Sequence, residues 1–314
     1  MRYITLAISQ GPATLVLAAF VATATLWSMP TTARGQIFIA NFNGDSIGEY
    51  TTSGATVNDS LVTGLGQPWG IAISGENLFI TEFGDGTPGN GLIGEYTTSG
   101  ATVNASLITG LTGPQGIVVS GTNLFILSTN FDKIGEYTTS GATVNASLIT
   151  GLNGPSGIAM SGDKLFVANY LSGTIGEYTT SGATVNAELV SGLHNPIGIA
   201  VSGGNLFVTN LASGTIGEYD ATTGATVNSA LVSGLNGPRY IAVSGANLFV
   251  TSFDGTVGEY NATTGATVNA ALIDAVNPVG IVVVPEPSTI ALAAFALAGV
   301  LACGWRRTTQ CATS

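Results

Sequence analysis

Two kinds of residue in this 314-residue chain could do chemistry: six glutamates that recur in one frame, and a scatter of polar and aromatic residues that break it. The glutamates are Glu49, Glu95, Glu136, Glu177, Glu218 and Glu259, each inside an IGEY or VGEY tetrapeptide. Carboxylates gathered at one point could hold a metal ion or divide acid and base roles between them. The frame-breaking residues include Trp69, Gln115 and Arg239 at one variable position, where other copies carry Ser156, Ile197 and Val279. Glu82, Asn169 and Asn210 stand at a second variable position, and Asp85, Asp132 and Lys133 lie in the loops that follow it. An aromatic ring, a guanidinium, amides and a few carboxylates around one opening would suit a sugar or a small polar molecule. Ordinary variation at a solvent-facing rim is the competing reading of the same residues. His194, the single histidine, replaces Asn153 or Asn236 in a Gly-Leu-x-x-Pro connection. It reads as an exposed turn residue, not as part of a triad or a metal cluster.

Which of these groups can meet depends on the elements that carry them. The glutamates are spaced by 46 residues once and by 41 thereafter. A fixed period near 40 means a stacked or radial repeat. The composition selects strands over helices, with 44 glycines and many Thr, Val and Asn residues. Each unit holds four strand-length runs. In one unit they are GIAVS (198–202), NLFVTN (205–210), TIGEYD (215–220) and ATVNSALV (225–232), divided by Gly, Asn and Ser turns. Four short strands per unit match one blade of a β-propeller. Both faces of these runs are apolar, as expected for sheets sandwiched between neighbours. Phe38, Phe79, Phe125, Phe166, Phe207 and Phe249 recur as packing residues between blades.

The first run, QIFIAN at 36–41, matches a second strand, and the last, GIVVV at 280–284, matches a first strand. One blade is therefore composite, the ring closes, and two exposed sheet edges disappear. The expectation is an all-β, six-bladed propeller over residues 36–284. In such a ring successive glutamates are rotated by about 60° and cannot converge. They read as structural, each hydrogen-bonded to a neighbouring backbone group or hydroxyl. The repeated tyrosines, Tyr50 and its equivalents, read as packing residues. The sequons at Asn58, Asn104, Asn145 and Asn261 read mainly as products of the repeat.

Residues 1–35 form the expected secretory signal, with Arg2 before an apolar stretch and small residues ahead of Gln36. At the other end, Ser288 to Trp305 is an uncharged run of 18 residues followed by Arg306 and Arg307. That is just enough to span a bilayer as a helix. The propeller itself has no cysteine, since Cys303 and Cys311 both lie in the tail, so it rests on burial and strand pairing. Residues 36–284 carry 17 acidic side chains against 3 basic ones, Lys133, Lys164 and Arg239. A nucleic-acid partner is excluded on that charge, because phosphate binding needs a basic stripe. No EF-hand-like loop is present, and no cofactor or bound metal is expected.

Two resemblances add to this. Pro285-Glu286-Pro287, the following apolar run and Arg306-Arg307 resemble the PEP-CTERM sorting signal of Gram-negative bacteria, over about the last 30 residues (285–314). The resemblance implies export, transient retention in the inner membrane and processing by an exosortase-type enzyme. It also implies a place at the cell surface, often with extracellular polysaccharide. Asn195 to Asp220 is similar to NHL and YVTN propeller repeats in its Pro-x-Gly-Ile-Ala-Val start, Leu-Phe-Val-Thr-Asn second strand and Gly-Thr-Ile third strand. That class holds scaffolds, binding modules and a few enzymes, and it transfers no catalytic residue here.

The leading expectation is a non-enzymatic surface module for a glycan or protein, with Trp69, Glu82, Gln115, Asp132, Asn169, Asn210 and Arg239 at the channel mouth. The alternative is a metal-dependent hydrolase or lactonase, for which Glu82, Asn169, Asn210 and Asp132 are the candidate ligands. A third reading treats near-identical stretches such as 93–111 and 134–152 as recent duplications.

Overall fold

The computed structural model describes residues 35–275 and 277–285. They form 24 strands and two single-turn 3-10 helices, Phe42–Gly44 and Thr129–Phe131. The strands make six antiparallel sheets of four. Blade I is composite: Pro278–Val284 pairs with Gln36–Asn41, followed by Ser46–Thr51 and Thr56–Thr63. Blades II to VI follow in chain order, their first strands being Pro68–Ser74, Pro114–Ser120, Pro155–Ser161, Pro196–Ser202 and Pro238–Ser244. These first strands touch one another in cyclic order, and Pro278–Val284 meets Pro68–Ser74 to complete the circle. The first strands begin at the proline, two residues earlier than the repeat suggests. All but the last residue of the expected secretory signal (1–35), together with Glu286 and Pro287, the apolar run and the terminal arginines, lie outside the described residues. Among the described residues, no helix is long and apolar enough to cross a membrane.

Burial between blades holds the circle. Six apolar clusters each join one blade to the next. Phe166 of blade IV, for example, packs with Leu206, Val208 and Tyr219 of blade V. The cluster that seals the ring sets Phe249 of blade VI against Ile37, Ile39 and Tyr50 of blade I. The six phenylalanines are at most 4% exposed. Each removes a large apolar area from water, so about 1.5–3 kcal/mol of transfer free energy sits at each such side chain.

The IGEY motif now has a local reason for each residue. The isoleucine, or Val257, fills the inter-blade cluster. The tyrosine ring folds back over the glycine two residues earlier: a Cβ on Gly48 would stand 2.8 Å from the Tyr50 ring, and one on Gly176 would stand 2.7 Å from Tyr178. The glutamate faces the amide at the head of the second strand, a diagonal cross-strand pair. Gln36, Asn77, Asn123, Asn205 and Asn247 donate to Glu49, Glu95, Glu136, Glu218 and Glu259 at 2.6–2.8 Å. In blade IV, Lys164 replaces the amide and pairs with Glu177 at 2.7 Å. The partner is thus a side-chain amide or ammonium of the adjacent strand, not a backbone group or hydroxyl. Each pair ties two strands of one blade, and the six carboxylates stay apart.

The outer strands depart from simple pairing. In blade I, Glu49 faces Asn58 but Ile47 faces Val62, so the outer strand carries two extra residues. The Asn58 Oδ1 accepts the Ser60 N–H inside this bulge, and Asn104, Asn145, Asn186, Asn228 and Asn269 repeat the turn. A bulge bends an edge strand and blunts its capacity to pair with another chain.

The connections between blades are stapled by polar side chains. Asp45, with φ of 45°, accepts the Gln67 N–H at 3.2 Å, and Asp132, with φ of 49°, accepts the Gly154 N–H at 3.0 Å. Glu82 accepts the Gly66 N–H at 2.6 Å through Oε2, while the Tyr96 hydroxyl lies 3.5 Å from its Oε1. Glu82 is only 6% exposed, and desolvation raises its pKa above the usual glutamate value. Burial of the tyrosine, and then the Glu82 charge beside it, push the Tyr96 hydroxyl up to about 12.

Two outcomes follow for stability. Glu218→Ala strips Asn205 of its acceptor at a nearly buried site, and we expect a loss of about 1–3 kcal/mol in urea unfolding; a change indistinguishable from zero would mean the pair is ornamental. Glu82→Gln keeps an acceptor for Gly66 and removes the buried charge. Because the folded-state pKa of Glu82 is raised, wild-type stability falls as pH climbs from the unfolded value of about 4.3 through the folded one. The variant should therefore melt above wild type at pH 7 and level with it near pH 4. Equal melting at both pH values would refute the buried-charge account.

Candidate functional site: the channel mouth

Each first strand carries a one-residue bulge close to its proline. In blade II, Pro68 faces Glu82 while Ile71 faces Ile80, which leaves Trp69 and Gly70 outside regular register. The same shift recurs at Pro114–Ile117, Pro196–Ile199 and Pro238–Ile241. Bulges of this kind re-aim side chains at barrel and sheet rims. Here they set Trp69, Gln115, Ser156 and Ile197 at the mouth of the central channel, whereas Val279 is buried between blades.

Hydroxyls pin that rim from blade to blade. Thr81 Oγ accepts the Gly70 N–H at 2.7 Å and donates to the Gln115 carbonyl of the next blade at 2.8 Å. Thr251 donates to the Val279 carbonyl at 3.0 Å, and Thr209 donates to the Arg239 carbonyl. Blade IV has Ala168 at the threonine position, and there Ser156 donates to the Pro196 carbonyl at 2.9 Å instead.

The glycine of Pro-x-Gly is replaced once, by Tyr240. Its hydroxyl accepts the Trp69 indole N–H from blade II and donates to the Ser156 carbonyl of blade IV at 3.2 Å. Residues of three blades are thereby linked across the axis. Burial pushes the Tyr240 hydroxyl up to about 12, so it stays protonated and keeps its donor. Above the tyrosine lies a mouth pocket of about 290 Å³, lined by Trp69, Gln115, Ser156, Leu171, Ile197 and Tyr240 among others. Below it lies an axial cavity of about 70 Å³, walled by the inner-strand glycines and isoleucines. Tyr240 lines both.

Aromatic rings surround the opening. Trp69 stands edge-on to Phe42 at 5.0 Å between centroids, and Phe83 lies 5.7 Å from it. Three exposed large apolar side chains, Phe131, Leu171 and Phe253, sit on loops of this same face. Arg239 stacks on Phe253 at 4.2 Å and lies 6.0 Å from Trp69. It donates to Asn277 Oδ1 at 2.7 Å and to the Pro278 carbonyl. At 6% exposure it holds its charge on neutral acceptors, and burial lowers its pKa from the ordinary arginine value.

The structure brings Trp69 and Gln115 together in the mouth pocket and places Arg239 beside Trp69 at its edge. It puts the others elsewhere. Glu82 and Asp132 staple inter-blade connections, as described above. Asn169 accepts the Asn153 N–H at 3.3 Å and donates to Thr174 at 3.4 Å. Asn210 is 3% exposed, with its amide 3.5 Å from the Val208 carbonyl. Glu82, Asp132, Asn169 and Asn210 belong to four different blades, and each has local partners. Among the described residues, no group of three or more His, Cys, Asp or Glu side chains could share a metal ion. Tyr240 and Leu171 were not in the set read from sequence. Tyr240 was legible as the one copy in which Pro-x-Gly loses its glycine.

Residues 283–307 match the PEP-CTERM protein-sorting motif. That motif points to export, to processing by an exosortase and to a surface location. No curated protein matches the sequence. Among solved structures, the fold is similar to a chain in "Crystal structure of Nidogen/Laminin Complex", with TM-score 0.66 and 16% identity, covering 79% of this chain and 98% of that one. A streptogramin B lyase structure aligns with TM-score 0.60 and 19% identity over 81% and 88% of the two chains. Virginiamycin B lyase from Staphylococcus aureus aligns with TM-score 0.53 and 19% identity over 73% and 78%. At these identities the likeness is one of fold alone, a six-bladed β-propeller.

Proposed function

We propose that the propeller is a non-enzymatic display module that passes transiently through the inner membrane, is processed by an exosortase-type enzyme, and then binds a neutral glycan of the extracellular matrix at its channel mouth. The observation that carries this reading is the mouth pocket itself, a half-open aromatic and aliphatic cup floored by the Trp69–Tyr240 pair. Flat rings with polar edges suit the apolar face of a sugar ring, and the Gln115 amide supplies a polar contact that would fix orientation. The charge selects the kind of glycan. With 17 acidic residues against 3 basic ones, the domain repels polyanions, so uronic-acid polymers are poor ligands.

Calorimetry of the full chain against neutral and acidic oligosaccharides tests this. Neutral sugars should bind, Trp69→Ala should weaken them about 30-fold or more in line with a central aromatic anchor, and Asp132→Asn should leave binding unchanged. Addition of a chelator should have no effect. Binding only of acidic polymers, or loss of binding with the metal, would defeat the proposal.

A further inference from the structure

The path of the chain fixes which face of the propeller can look at a membrane. Every first strand runs from the mouth, where its proline lies, to the opposite face, here called the base. The last described strand, Pro278–Val284, does the same, so the chain leaves the ring at the base. The first described strand, Gln36–Asn41, runs the other way and starts at the base. The two ends are paired neighbours, with Gln36 opposite Val284. Both flanking segments therefore depart from one spot on the inner half of the base.

Reach then settles the orientation. Only Pro285, Glu286 and Pro287 separate the last strand from the uncharged run that begins at Ser288. Three residues span about 10 Å at full extension, and prolines favour an extended chain. A strand of six or seven residues is itself about 20 Å long. A linker of that length cannot carry the mouth round to the surface from which the base is tethered.

The chemistry of the two faces agrees. The base is built from short turns rich in Gly, Ser, Thr and Asn, such as 120–123 and 202–205 at the ends of first strands and 52–55, 98–101 and 139–142 at the ends of third strands, with Glu76 and Asp163 as exposed charges in the turns at 74–77 and 161–164. The exposed large apolar residues that sit in loops, Phe131, Leu171 and Phe253, all lie at the mouth.

We propose that, while anchored, the propeller docks base-down on the bilayer, so that its base meets the phospholipid headgroups and its mouth faces away from the membrane. The proposal rests on the display reading only for what the mouth takes. The orientation stands on topology and tether length and is read without any ligand.

The test uses the full chain with Cys303→Ser and Cys311→Ser, reconstituted in phosphatidylethanolamine–phosphatidylglycerol vesicles that carry a headgroup-attached quencher. A fluorophore is placed at the base through Thr122→Cys or at the mouth through Ala212→Cys, both exposed turn positions. Quenching should be several-fold stronger at the base than at the mouth. Equal quenching at the two positions, stronger quenching at the mouth, or none at either would overturn the proposal. Lengthening the linker with a flexible Gly-Ser stretch of about 20 residues after Val284 should reduce the difference, and an unchanged difference would show that tether length does not set the orientation.

Discussion

Six inner strands approach one axis so closely that their backbones touch, and most of what recurs in this protein accommodates that contact. A Cβ added to Gly70, Gly157, Gly198 or Gly280 would stand 2.1–2.5 Å from a carbonyl oxygen of the next blade. No side chain fits there, which is why Pro-x-Gly is kept in five of six copies. The contact also decides where the carbonyls point. Thr81, Thr209 and Ser156 reach across to three of those carbonyls, Thr251 reaches the Val279 carbonyl, and bare backbone contact becomes hydrogen-bonded pins. The apolar clusters further out then pack on blades already held in register at the axis.

Within that scheme the exceptions carry the individuality of the molecule. Tyr240 stands where a glycine belongs, and its ring occupies the space that five glycines leave open. It joins Trp69 to Ser156 across the axis and lies between a mouth pocket and a small axial cavity. Arg239, beside it, is a cation held by an aromatic face and by neutral oxygens. Blade IV exchanges an amide for Lys164 and a threonine for Ala168, and in each case another group takes over the lost contact. The repeat therefore behaves as a set of constraints with more than one chemical solution.

Much of this was legible in the residues. The 41-residue period, the four runs per unit and the mismatched ends specify a closed ring of six blades, because strand pairing and inter-blade burial repeat with the chain. Trp69, Gln115 and Arg239 stood out as departures from the repeat, and they lie in or beside the mouth pocket. Glu82 and Asn169 stood out in the same way but serve inter-blade connections, and Asn210 bonds within its own blade. Sequence variation at a strand end marks a change of partner; it does not tell whether that partner is solvent, a loop N–H or a ligand. The glutamate partners were also hidden, since the amide at the head of the second strand meets the glutamate only through cross-strand register.

By itself, then, the sequence determined the number of blades, the composite closure, the separation of the six carboxylates and the sorting address at the C-terminus. Periodicity and end-matching are properties of the chain and survive without coordinates. The tertiary structure decided which irregular residues face the opening, that Tyr240 bridges the axis, and that both ends of the described ring leave from the base. These depend on how bulges turn side chains and on contacts between residues as far apart as Trp69 and Tyr240, which no local pattern encodes.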